Sequence, residues 1–162
     1  MFPMLAKLLL LGWFAVCAYQ DLTRLRVSNL LTLGGALLAA AFLLVEGHTL
    51  TGHTPQAALV ATLLALLLSV PGYLLGKLGA ADVKALVALA LASHPQLLLY
   101  VLALASLISL VLMLVSKLLI GSDRLPAHFQ TKLARLLPSR FKAFPFIFSL
   151  FAGLLTYLSF FH

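Results

Sequence analysis

Acidic residues are almost missing: Asp21, Glu46, Asp82 and Asp123 are the only four among 162 residues. There is one cysteine, Cys17, and all charged types together make up 9% of the chain. A lone cysteine excludes an internal disulfide, and with no cysteine–histidine cluster the sequence offers no zinc-type ligand set. So little charge in a chain that is 63% hydrophobic, with a mean hydropathy of +1.13, excludes a soluble domain of this length. The net charge of +7 brings nucleic acid to mind. The positive residues, however, fall between apolar runs, as they do in the loops of membrane proteins. The expected partner is therefore the lipid bilayer and not nucleic acid.

Long apolar runs are what the sequence has in quantity. They cover Leu5 to Tyr19, Leu30 to Val45, Ala57 to Leu75, Leu78 to Ala92, Leu97 to Ile120 and Ala143 to Phe161. A spanning helix needs about 20 apolar residues, so the length allows about six spans with short loops. The reading is an all-α polytopic membrane bundle of about six transmembrane helices, forming one domain over residues 1–162. The fourth run is short. At about 1.5 Å per residue it reaches roughly 22 Å, against a hydrocarbon core of ~30 Å, so either it spans a thinned region or its first end is recessed. Gly72 with Gly76, and Gly34 with Gly35, read as small-residue positions for close helix packing. Cys17 sits faintly like a lipoprotein cleavage site, but Val16 is poor where a small residue is wanted, and an uncleaved first span is expected.

Orientation follows from the basic residues. Arg24, Arg26, Lys77, Lys84, Lys117, Arg124, Lys132, Arg135, Arg140 and Lys142 fall on one side if every run crosses, and Lys7 alone falls on the other. The first side is expected to be the cytoplasm, with both termini opposite. Leu125 to Leu137 reads as a short interfacial helix between the fifth and sixth spans. Phe129, Leu133, Leu136 and Leu137 share one face, and His128, Lys132 and Arg135 the other. Asp123 reads as an end-capping charge for that helix. Glu46, His48 and His53 read as polar residues of the outer loop.

Asp21 and Asp82 fall on the same side, each where an apolar run meets positive charge. Carboxylates at a bilayer edge are costly, and two that meet can share a proton and activate a water. Each also has a plainer reading. Asp21 suits a loop charge beside Arg24 or Arg26, and Asp82 an ion pair with Lys84 or Lys77. Lys84 is open between tuning Asp82 and anchoring its span to headgroups.

The segments Asp21-Leu22-Thr23-Arg24-Leu25-Arg26-Val27-Ser28-Asn29 and Gly79-Ala80-Ala81-Asp82-Val83-Lys84 resemble the type IV prepilin peptidase family, membrane aspartic proteases with a GxGD motif. Asn29 closes the first motif. Gly79, Asp82, Val83 and Lys84 fit the second. Phe144-Pro145-Phe146 echoes a proline-containing start of the last span. Ser28 stands where the family usually has proline, and Ala81 where the second motif has glycine. The chain is most similar to the short branch serving tight-adherence (Flp-type) pili. It shows no counterpart of the N-terminal, cysteine-paired methylating region of longer relatives.

The resemblance implies an aspartic endopeptidase of the bacterial inner membrane, with its active site facing the cytoplasm. Asp21 and Asp82 would be catalytic, and Asn29, Gly79, Lys84 and Pro145 supporting. The substrate would be a prepilin, with a basic leader, a glycine at the cut and an apolar helix. No cofactor and no metal are implied. Which aspartate carries the proton, and the oligomeric state, stay open. Two other readings stand beside it: a non-catalytic scaffold or degenerate relative that binds pilin-like helices, and a proton- or ion-coupled transporter. The transporter is disfavoured, because both acids lie at one face and not near midplane.

Overall fold

The second and third helices begin where a side chain satisfies a free amide, and the second ends where glycine lets the backbone turn left. Ser28 caps one helix, its Oγ accepting from the Leu31 amide at 3.4 Å. Gly47, at φ +70°, ends it. Thr54 caps the next, with Pro55 in its first turn, where the missing N–H costs nothing. The computed structural model describes residues 2–24, 26–120 and 146–160. They form α1 (Phe2–Arg24), α2 (Asn29–Glu46), α3 (Pro55–Leu74), α4 (Ala80–Ala92), α5 (Pro95–Ile120) and α6 (Phe146–Phe160). The expected interfacial helix 125–137, with Asp123 and Pro145, lies outside the described residues.

Four of these helices are long and apolar enough to cross a membrane: Met4–Arg24, Asn29–Glu46, Pro55–Leu74 and Pro95–Val115. Their outward faces carry large exposed aliphatics such as Leu30, Leu44, Leu63, Leu67, Leu110 and Leu114. In water such a surface would aggregate; against lipid tails it carries no penalty. The chain is a helical membrane protein.

The shortest helix is the most enclosed. α4 has 13 residues and packs against α2, α3, α5 and α6. Ala85, Leu86, Ala88, Leu89, Ala90 and Ala92 are all buried, so it is apolar nearly all round, as a central helix must be. The matching face of α3 is Ala58, Ala61, Ala65 and Ser69, small residues three or four apart that let the two axes approach. Phe14, Leu86, Leu89, Leu98, Val101, Leu150 and Leu154 complete the main core.

Glycine does two separate jobs. Gly35 accepts the indole of Trp13 directly on its Cα, so the close packing expected at Gly34-Gly35 is made by Gly35. Gly72 and Gly76 are not a packing pair. α3 stops at Leu74, and Gly76 lies beyond it at φ +66°. A Cβ on Gly72 would lie 2.7 Å from Leu78 Cδ1, so Gly72 gives room to the chain as it folds back toward α4. The amides of Lys77 and Leu78 both donate to the Gly72 carbonyl, at 2.9 and 3.1 Å. This turn hands the chain to Gly79 and so sets where α4 begins.

Hydrogen bonds define the two ends of the bundle. At one, the end of α1 meets the start of α6, and the start of α2 meets the start of α4. At the other, the α2–α3 loop meets the α4–α5 turn and the end of α6.

Candidate active site

Asp21 is helical. The apolar run stops at Tyr19, but the helix continues to Arg24 and holds Asp21 in its last turns. Its phase follows from the residues before it. Leu10, Phe14, Cys17 and Asp21 recur every three or four positions and, with Ala18, are all buried. Asp21 is therefore a core-face residue, 6% exposed, and not a solvated loop charge. Its Oδ2 accepts from the Ile147 amide at 2.9 Å and the Phe148 amide at 3.3 Å. Both belong to the first turn of α6, where amides lack intrahelical partners and the helix dipole favours negative charge. The acid on the first helix thus caps the last.

Asp82 lies in the first turn of α4, where its Oδ2 accepts from the Gly79 amide at 2.8 Å. This is the third-position half of a capping box, closed onto a glycine that has no side chain to return the bond. A Cβ on Gly79 would stand 3.1 Å from Asp82 Oδ2, so glycine leaves the carboxylate room to fold back. Cys17, one turn before Asp21, and Ala85, one turn after Asp82, pack in one cluster. Two acids from α1 and α4 are thus brought to one end of the bundle.

Lys84 does not pair with Asp82. Residues two apart on a helix face different ways, and Lys84 Nζ reaches α2, donating to Asn29 Oδ1 at 2.8 Å. The two motifs are therefore joined through their supporting residues Asn29 and Lys84. Beneath them, Cys17, Val27, Ala85 and Ile147 form a small separate core, with Trp13, Leu31 and Ala81 packed on it. It gathers α1, the α1–α2 loop, α4 and α6 under the acids. A concavity at the α1–α2 turn is lined by Gln20, Arg24, Arg26, Val27, Ser28 and Asn29, and neither acid lines it.

A family model, the type IV leader peptidase family, matches residues 8–114. The chain belongs to that family. It is accordingly a membrane peptidase. No curated protein and no solved structure matches it. The matched stretch holds Asp21, Asn29, Gly79, Asp82 and Lys84, while α6, which supplies two amides to Asp21, lies beyond it.

Both departures from the motifs have a local explanation. Ser28, in place of proline, is the N-cap of α2. Ala81, in place of glycine, already lies inside α4, at an ordinary helical position. Among the described residues no group of three metal-ligating side chains occurs. The sequence reading missed Gln20, whose side chain bonds across the α1–α2 turn, and the α6 amides. The three-and-four spacing that runs into Asp21 was the available signal for its burial. Nothing in the sequence marks Gln20.

Proposed function

We propose that this leader peptidase is an aspartic endopeptidase whose catalytic pair is Asp21 and Asp82. The observation that supports the reading is their convergence: helices far apart in sequence bring both acids to one end of the bundle, where Cys17, one turn from Asp21, packs with Ala85, one turn from Asp82. One carboxylate, ionised, takes a proton from a water held between them as the water oxygen attacks the scissile carbonyl carbon. The other, protonated, donates to the scissile carbonyl oxygen. The tetrahedral intermediate then collapses as a proton passes to the leaving amine. The proton is a property of the pair and belongs to neither residue alone.

The substrate is a prepilin-like protein with a basic leader followed by an apolar helix. That helix lies in lipid against the exposed apolar faces of the bundle, and the leader junction reaches the acids. The acid-bearing end, which carries Arg24, Arg26, Lys77 and Lys84, faces the cytoplasm, and the membrane is the bacterial inner membrane.

A second reading is favoured by one specific observation. Each carboxylate also caps a helix start, which is enough to explain its position in a scaffold that binds pilin-like helices without cutting them. Asparagine separates the two readings, because its side-chain oxygen still accepts from an amide while it cannot exchange a proton. Co-expression with a candidate prepilin should shorten the prepilin on a gel. Asp21→Asn and Asp82→Asn should each abolish the shift while still inserting in the membrane. Continued cutting by either variant would end the catalytic assignment, and a cognate prepilin left whole by the unaltered protein would favour the scaffold.

A further inference from the structure

Two hydrogen bonds connect the acid-bearing helices through one short loop. Gln20, the neighbour of Asp21 on α1, accepts from the Ser28 amide through Oε1 at 3.2 Å. The next residue, Asn29, accepts from Lys84 of α4 at 2.8 Å. The path runs from α1, across the 28–29 peptide, to α4. On one side it ends beside Asp21, and on the other two residues from Asp82. Gln20, Ser28 and Asn29 also line the concavity at the α1–α2 turn.

This path is the polar counterpart of the apolar floor below it. Val27, one residue before Ser28, is buried among Cys17, Ala85 and Ile147, and those residues lie on the acid-bearing helices and on the helix that Asp21 caps. The loop is thus pinned from below by Val27 and from its two flanks by Gln20 and Lys84. Neither bond is buried. A hydrogen bond from a charged donor such as Lys84 Nζ is stronger than a neutral one, so the Lys84–Asn29 bond can hold the loop to α4. Lys84 is suited to the task because its long stem spans from α4 to the first residue of α2, and Asp82, on another face of α4, does not compete for it.

We propose that Gln20, Asn29 and Lys84 are positioning residues, a bracket that sets the separation of Asp21 and Asp82 without touching the scissile bond. The inference rests on the aspartic-pair reading above. A water shared by two carboxylates tolerates little change in their spacing, so a loosened bracket lowers turnover and leaves substrate capture intact.

The test measures kcat and KM of the full-length protein, in detergent or liposomes, with a purified prepilin. The variants are Lys84→Met, Asn29→Leu, their double, Gln20→Leu and Lys84→Arg. Each single Met or Leu substitution is expected to lower kcat about 10- to 100-fold with KM changed less than about threefold. The double is expected to be no slower than the slower single, because both remove the same bond. Lys84→Arg, which keeps a donor of similar reach, should recover most of the rate. Asn29→Leu reads that bond from its other side should Lys84→Met fail to fold. Losses that multiply in the double, losses confined to KM, unchanged rates, or no recovery with arginine would overturn the bracket. If Asp21→Asn or Asp82→Asn still cuts, the pair reading falls and the bracket with it. If both are inactive while the bracket variants turn over normally, only the bracket falls.

Discussion

Asp21 has two attachments that can be separated. Through Oδ2 it holds the first amides of α6, and in the proposed reaction its charge is shared with Asp82. Asp21→Asn keeps an acceptor for the amides, so its unfolding midpoint should stay within a few degrees of the unaltered protein while cleavage is lost. Asp21→Leu leaves two amides without a partner and should cost about 1–3 kcal/mol, read as a lower midpoint in detergent. If the two variants are equally stable, the cap carries no weight. Ala81 poses a complementary question. It stands where glycine was expected, yet its backbone is helical. Ala81→Gly should therefore destabilise the protein by about 1 kcal/mol and raise activity not at all. A gain in rate with glycine would mean that this turn must leave helical geometry during catalysis.

Helices here meet through small residues, and one contact matters to the site. A Cβ on Gly153 of α6 would lie 2.9 Å from the Val101 carbonyl oxygen of α5, a backbone atom with little room to give. Gly153→Val should push α6 from α5 at a cost of about 1–3 kcal/mol. Because α6 presents its amides to Asp21, prepilin cutting should fall with it; full activity in that variant would show that α6 can move without disturbing the acid. This contact was not legible in the sequence, since Gly153 lies in an unbroken apolar run and resembles any other small residue there. The apolar runs, the placement of Asp21 and Asp82 at one end of the bundle and the short fourth helix were legible, because charge and hydropathy alone decide them. The end of α1 was misjudged because polar residues from Gln20 onward look like a loop, while the buried phase of Phe14, Cys17 and Asp21 carries the helix on. Gly76 was misread because spacing alone cannot distinguish a packing glycine from one that ends a helix with positive φ.

At the scale of the whole molecule, the bundle has a second polar centre at the end away from the acids. His94, in the α4–α5 turn, is buried and stacks on His53 of the α2–α3 loop, with ring centroids 3.7 Å apart. Its Nε2 lies 3.3 Å from the Tyr157 hydroxyl of α6, and Tyr100 of α5 packs on Tyr157. Burial first, then the neighbouring His53, holds the His94 imidazole below its usual value near 6.5. The unfolded chain therefore takes up this proton before the folded one as the pH falls. Stability from this group is present above 6.5 and is lost below it, down to the lowered folded value. Lowering the pH from about 7.5 to about 5.5 should reduce the unfolding midpoint, and His94→Gln should remove much of that slope. A slope unchanged in His94→Gln would place the proton uptake elsewhere. Since this end closes α4 against α5 and α6, it fixes the far end of the helix that carries Asp82.

The most direct measurement is single-turnover cleavage of a purified prepilin by the unaltered protein, Asp21→Asn, Asp82→Asn and the double variant. If the acids act as one unit, each single variant should lose at least about 10³-fold and the double should be no slower than either. A single variant that keeps its rate within about tenfold of the unaltered protein, or a double whose losses multiply, would show that the two carboxylates do not share one water.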